Sequence, residues 1–348
     1  MVETWYVIVW VVLGVYACLD GRNFGAAALR PVVARDAAER RQVLDAIGPL
    51  WTWHEVWLVA AGGSLLMAFP TLLATAFGGY YLALFVVLWT LILRGMALEV
   101  GAHLPHPLWQ QFWGFVLAAS SALLALLLGV TLGSIVRGVP LDARGDFSLP
   151  LFTDFGVRGE VGLLDWYTLS AGVLGLLVLV AHGATYLMLK TSGAVRDRSR
   201  VAARRSWLAA LLLGLVFAAE TRAVRPDLWS ALGARPFALL SLALMLAGGL
   251  TILSGFRKQL DRRAHVGSCM LIAGIVAVQA TASFPVLLHS TLDPADSLTA
   301  WQAAARPESL AIALAWWAVA APLAVSWAVW VGRYYRGRAT TAPESGGA

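Results

Sequence analysis

Charge is scarce in this sequence. Lys, Arg, Asp and Glu together make up 13% of its 348 residues, where a soluble domain carries about a quarter. Too few charges are present to cover a water-facing surface, which excludes a soluble globular protein. Hydrophobic residues fill 59% of the chain and the mean hydropathy is +0.72. The composition defines an all-α polytopic membrane protein. A net charge of +6 does not indicate a nucleic-acid partner here, because Lys and Arg concentrate in the cytoplasmic loops of membrane proteins.

Cysteine is nearly absent. Cys18 and Cys269 both lie in apolar runs, and two such thiols predict neither a disulfide framework nor a metal site. The first ten residues contain no Lys or Arg, so "VYAC" ending at Cys18 lacks the basic n-region of a signal peptide and the first segment reads as a retained anchor. Walker A, CxxC, CxxCH, HExxH and dinucleotide fingerprints are missing as well, which removes the commonest nucleotide, redox and metal motifs. The six histidines sit singly near expected helix ends and offer no axial pair for haem.

What the sequence does contain is long apolar runs. A bilayer-spanning helix needs roughly 17–25 such residues, and about nine segments qualify: 4–19, 53–75, 77–99, 111–135, 163–189, 206–221, 236–255, 266–288 and 309–332. None alternates with the period of two that a barrel strand requires. With the N-terminus outside, 19 of the 26 Lys and Arg fall on the cytoplasmic side, six of them in "KTSGAVRDRSRVAARR", residues 190–205. That asymmetry orients the chain N-outside and C-inside. Spans 1 and 5 both run into basic loops, as two four-helix bundles plus one peripheral helix would. Residues 1–335 read as one membrane domain and 336–348, ending "TTAPESGGA", as a disordered cytoplasmic tail.

Ionisable groups inside spans are costly and usually face protein or water. Asp20, His54, Glu55, Arg94, Glu99, His103, His182 and Lys190 all fall near the cytoplasmic ends of spans 1, 2, 3 and 5. This collar has two readings. One is interfacial: Arg94, Lys190 and His103 snorkel or pair to fix helix depth. The other is a proton-handling cluster, with Glu55 and His182 the residues most enclosed by apolar turns. Glu99 lies five residues past Arg94, about 140° round the helix, so the two do not share a face. Glu220, Arg222 and His289 at the outer ends read as structural. The 16 tryptophans read as interfacial belts.

Several long phrases carry a family resemblance. "LDGRNFG", "ERRQVLDAIGPLWTWHEVWLVAAGGSLLMAFP", "ATAFGGYYLALFVVLWTLILRGMALE", "GVTLGSIVRGVPLDARGDF", "AHGATYLMLKT" and "FPVLLHST" with "SLTAWQAA" resemble, in order, subunit II of cytochrome bd-type quinol oxidases. The resemblance implies a nine-helix partner for a haem-bearing subunit I, which would hold two b-type haems and haem d and carry the quinol site. It implies a complex in the bacterial cytoplasmic membrane that oxidises quinol, reduces dioxygen to water and takes its protons from the cytoplasm without pumping. This chain would bind no cofactor itself. Lipid, quinone and a small single-span subunit are further partners that the resemblance allows.

The departures fall at acids. The family reads G-F-D-[LM]-G and W-D-G-N-[EQ]-V-W where this chain reads "GRNFG" and "WTWHEVW", so Asn23 and Thr52 replace acids, the second of which belongs to the family's proton path. Asp20 and Glu55 remain, and His54 takes the asparagine position. The candidate proton path is therefore Glu55, His54, Asp20, Glu99 and His182. A secondary transporter, with broken helices around a mid-membrane site, and a non-catalytic paralogue stand as alternatives.

Overall fold

The computed structural model describes residues 1–101, 103–104, 106–156 and 159–339. Thirteen helices follow in order: α1 (Val2–Val33), α2 (Ala37–Ile47), α3 (Trp51–Ala68), α4 (Pro70–Gly79), α5 (Tyr81–Val100), α6 (Pro107–Arg137), α7 (Trp166–Lys190), α8 (Gly193–Val224), α9 (Pro226–Ala234), α10 (Pro236–Arg257), α11 (Asp261–Ser283), α12 (Ala300–Ala303) and α13 (Pro307–Tyr334). Two short strands, β1 (Val286–Leu288) and β2 (Leu298–Thr299), pair antiparallel beyond α11. Among the described residues, eight helices are long and apolar enough to cross a membrane, and nine spans result if α3 with α4 counts as one.

The helices α1, α3, α5 and α6 pack as one group and α7, α8, α10 and α11 as another, while α13 lies against the outside of α3. The two groups meet where α1 and α6 contact α7. Small residues make that approach possible: a Cβ on Gly25 would overlap the Leu179 carbonyl, and one on Gly183 would overlap the backbone of Gly25 and Ala26. Close backbone approach through glycine is how apolar helices gain van der Waals contact where lipid supplies no hydrophobic drive. The start of α7 is fixed by Asp165, whose side chain caps the Tyr167 and Thr168 amides and pairs with Arg137 at 3.0 Å, satisfying donors that a helix N-terminus leaves open.

Three expected boundaries change. The first and sixth spans, expected as the short runs 4–19 and 206–221, belong to the two 32-residue helices α1 and α8. The basic segment 190–205 is therefore mostly helix, not loop: its arginines ride on the first turns of α8. The second span, expected as 53–75, ends at Ala68, and α4 leaves at 115° to α3. Pro70 causes the break, because proline has no N–H to continue the ladder and forces the preceding residue out of the helical region; Phe69 sits at φ −133°, ψ 60°.

One end of the molecule gathers the basic residues. There Arg198 donates to the Val33 carbonyl at 2.7 Å and pairs with Glu39 of α2, while Arg196 and Arg200 clasp Asp261 at 2.6 and 2.8 Å. The Arg198 guanidinium, with the Arg35 amide, holds the Glu39 carboxyl below the usual carboxylate range. Within the expected tail, Gln42 donates to the Ala339 carbonyl and the Ala339 amide to that of Lys190, each at 2.8 Å. Residues 340–348 lie outside the described residues.

Candidate functional site

Helix α1 is about 48 Å long at 1.5 Å per residue, so Asp20 lies about 27 Å from its start, near the far edge of a hydrocarbon core about 30 Å thick. It does not end the helix, which continues for three more turns. Asp20 is fully buried. Opposite it stands Arg94 of α5, 1% exposed, which reaches both carboxylate oxygens at 2.8 and 3.2 Å. The same guanidinium donates to Glu55 of α3 at 2.6 Å. Phe24 and Trp51 face it at 4.5 and 5.8 Å, close enough for their ring faces to stabilise the cation. Of the two expected behaviours, Arg94 shows pairing and not snorkelling, and it stands at the centre of the cluster.

The network continues along α1. Asn23 donates from Nδ2 to Asp20 Oδ1 at 3.1 Å and contacts His54 Nδ1 at 2.6 Å. On the far side of that ring, Arg22 Nη2 lies 3.0 Å from His54 Nε2, and its guanidinium stacks on Tyr186 at 4.6 Å. His54 is consequently wedged between two donors, whereas a neutral imidazole offers one acceptor only. Turning the Asn23 amide over relieves the ring but aims an oxygen at Asp20, an arrangement satisfied when Asp20 carries a proton. Imidazole, amide and carboxyl therefore form a chain whose hydrogen bonds depend on where one proton sits. A groove of about 590 Å³ between α3 and α13, walled by Trp53, Trp57, Trp316 and Trp327, reaches this chain at Arg22 and His54.

The structure brings Asp20, His54, Glu55 and Asn23 together and leaves the other expected residues apart. Glu99 is exposed on α5 and makes no ion pair with Arg94, as its angular offset predicts. Thr52 is exposed too, three residues before Glu55 on α3, and among the described residues no polar contact joins it to the cluster. His182 is fully buried but belongs to a second cluster: its ring stacks on His265 at 5.1 Å and 11°. The six histidines are therefore not all single. Arg22 was missed as a site member, and Arg94, counted in the collar, was left off the candidate path; the signals were Arg22's place two residues past Asp20 and the charge of Arg94 within the third apolar run.

A bundle of eight or nine apolar helices, with a guanidinium and two carboxylates clasped inside it, defines a multi-pass membrane protein. The chain belongs to the family described as "Cytochrome bd terminal oxidase subunit II", which matches residues 1–335. It is 29% identical to the "Probable cytochrome oxidase subunit 2" of Haemophilus influenzae, over 94% of this chain and 92% of that one. It is 27% identical to the "Cytochrome bd-I ubiquinol oxidase subunit 2" of Escherichia coli K12, over 94% and 92%. The "Cytochrome bd ubiquinol oxidase subunit 2" of Bacillus subtilis is 28% identical over 89% and 88%. Its fold is similar to a chain from the structure of bd oxidase from Geobacillus thermodenitrificans, with a TM-score of 0.70 at 16% identity, covering 95% of this chain and 98% of that one.

Proposed function

We propose that this chain is the haem-free second subunit of a bacterial quinol:oxygen oxidoreductase, seated beside a haem-bearing subunit I that holds two b-type haems and haem d and binds the quinol. Family membership supports the oxidase complex. The stacked pair His182–His265, at 5.1 Å, supports the haem-free reading, since rings packed face to face leave no room for a macrocycle between their nitrogens. The basic end, where Arg196, Arg198 and Arg200 gather on α8, supports a cytoplasmic placement of that end and an external N-terminus.

Within this role, Glu55, Asp20, Asn23 and His54 carry protons from the cytoplasmic leaflet toward the partner, while Arg94 stays a permanent cation that holds the two carboxylates side by side. The observation that carries this reading is the unbroken run of contacts of 3.2 Å or less from half-exposed Glu55 to buried His54. Exchange enters at Glu55, and the amide of Asn23 turns over as a proton moves between Asp20 and His54. Asn23 and Thr52 cannot titrate in the acids' place, so the burden falls on this run. Oxygen consumption by assembled Glu55→Gln and His54→Asn complexes tests it: turnover falls at least tenfold, most at alkaline pH where protons are scarce. Full turnover by both variants across pH makes the cluster a clamp between helices, with all protons delivered through the partner.

A further inference from the structure

The basic end carries cations that no acid of the chain answers. At the turn between α10 and α11 the chain reverses through Gln259, at φ 55°. The Leu260 amide donates to the Gly255 carbonyl at 2.9 Å and the Gln259 amide to that of Phe256 at 3.4 Å, the pairing of a Schellman turn. The reversal sets Arg257 and Lys258, at the end of α10, beside Arg262 and Arg263, at the start of α11. Asp261 is the acid of this turn, and Arg196 and Arg200 already occupy its two oxygens. Among the described residues, no carboxylate pairs with Arg204, Arg257, Lys258, Arg262 or Arg263.

Arg204 joins that turn from α8. Its Nη2 donates to the Phe256 carbonyl at 3.4 Å and its guanidinium lies 5.7 Å from the centre of the Phe256 ring, which orients the group and leaves most of its N–H donors open. Its depth follows from the helix. Near the other end of α8 the Thr221 hydroxyl meets that of Tyr167 at 2.8 Å, and Arg204 stands about 26 Å before it at 1.5 Å per residue. A hydrocarbon core about 30 Å thick therefore ends close to Arg204, at the level where lipid phosphates begin. On the membrane side of Arg204, α8 and α10 part. One packs on α7 and the other on α11, and they touch each other only weakly before α9 bridges them at the far end. Exposed leucines wall the furrow between them: Leu208 and Leu211 continue the Arg204 face of α8, and Leu253 the Phe256 face of α10.

Charge and shape together select the occupant. Basic residues spread round a cytoplasmic rim only orient a chain; here they gather at the mouth of an apolar furrow, with one arginine fixed at phosphate depth. A soluble anion meets the cations but leaves the leucines bare. A zwitterionic lipid fills the furrow but brings an ammonium to a turn whose acid is already taken. A phospholipid of net negative charge matches both parts, as basic pockets between membrane helices do for acidic head groups. We infer that the furrow between α8 and α10 holds one acidic phospholipid, its phosphate on Arg204 and the basic turn and an acyl chain against Leu208, Leu211 and Leu253. The lipid fastens α8 to the α10–α11 hairpin where the protein itself leaves them apart. This inference rests on the membrane-spanning fold and not on the proton run.

The test uses the complex purified with its natural partner. It is equilibrated in detergent with equal amounts of phosphatidylglycerol and phosphatidylethanolamine, freed of unbound lipid, and its retained lipid is measured by native mass spectrometry. The wild type keeps phosphatidylglycerol in preference, and the double variant Arg204→Gln with Arg257→Gln loses one such lipid. Its affinity there falls about 25-fold, at roughly fivefold for each interfacial basic group. The exposed pair Arg262→Gln with Arg263→Gln gives a comparable loss without touching the contact between α8 and Phe256. Leu208→Trp, which fills the furrow and keeps every charge, lowers retention as well. Arg41→Gln removes an exposed cation of α2 at the same end and leaves retention as it was. Complex yield and haem absorption, equal among the variants, show that assembly is intact. Equal retention of the two lipids by the wild type, the same loss in Arg41→Gln, or full retention in both double variants overturns the inference. None of these outcomes bears on oxygen turnover through Glu55 and His54.

Discussion

Replacing Arg94 by methionine removes the centre of the charged cluster and leaves its two acids behind. The geometry says which acid suffers. Glu55 is 28% exposed and can turn outward to recover solvation, but Asp20 is fully buried and keeps only the Asn23 amide at 3.1 Å. Breaking a buried ion pair by removing one partner costs about 3–5 kcal/mol, because the surviving charge is uncompensated. Arg94→Met should fall in that range. Asp20→Asn leaves Arg94 still bound to Glu55, so its cost is nearer the roughly 1–3 kcal/mol of an unmade buried hydrogen bond. The informative variant is the double one. Asp20→Asn with Arg94→Met removes both buried charges, and replacing a whole buried pair is often close to neutral; it should be more stable than Arg94→Met alone. Loss of helical circular dichroism on titrating the purified complex with denaturing detergent gives the ranking. If the double variant is as unstable as the sum of the singles, Asp20 does not depend on Arg94 and the cluster argument fails.

Other consequences are quicker to state. Gly25→Ala and Gly183→Ala each drive a methyl into the facing backbone of the α1–α7 contact, costing about 1–3 kcal/mol or more; Gly62→Ala, with nothing within 4 Å, should be neutral or gain up to about 1 kcal/mol from helix propensity. Assembled yield separates the two cases. At the end opposite the basic one, burial first and Arg225 next push the His289 imidazole down to about 4, against about 6.5 in an unfolded chain. Protons then bind the unfolded state preferentially, so the local stability is complete above pH 6.5 and drains away as pH falls toward 4. Hydrogen exchange at residues 138–141 and 289–297 should accelerate over that interval, and His289→Gln should flatten the dependence. At the basic end, Arg198→Ala should loosen α2 and raise exchange at its amides, with an effect that shrinks in high salt.

Much of this architecture was legible because lipid imposes a coarse code. Apolar runs of sufficient length announced the nine segments, and the arginines of 190–205 announced one end. What the code misses is what neighbouring helices decide. A hydropathy run cannot say that α1 continues to Val33, since the turns beyond Asp20 are buried by α6 and α7 instead of lipid. Nor does it register Pro70, one residue in an otherwise apolar stretch, as a 115° corner. Depth along a helix was readable, so Asp20, His54 and Glu55 were placed at one level. Azimuth was not. Arg94 points inward and Glu99 outward from the same helix, and only packing assigns those faces. His265 was overlooked for a related reason: at the start of α11 it looks like an end residue, yet α7 covers it.

The departures from the family pattern acquire a common physical meaning once the cluster is counted as a charge system. The pattern puts an aromatic residue and an acid at positions 22 and 23, and this chain puts arginine and asparagine there. The result is two buried or half-buried carboxylates, Asp20 and Glu55, facing two guanidiniums, Arg22 and Arg94. The sum is zero with every group in its ordinary ionised state and His54 neutral. In a low-dielectric setting a balanced set of four charges holds together without borrowing a proton, whereas an additional acid in place of Asn23 would need one to avoid carrying excess negative charge. A cluster balanced in this way has no resident proton to give away. On the proposed function, each proton that crosses must arrive as a transient excess charge, held in turn by Glu55, Asp20 and His54.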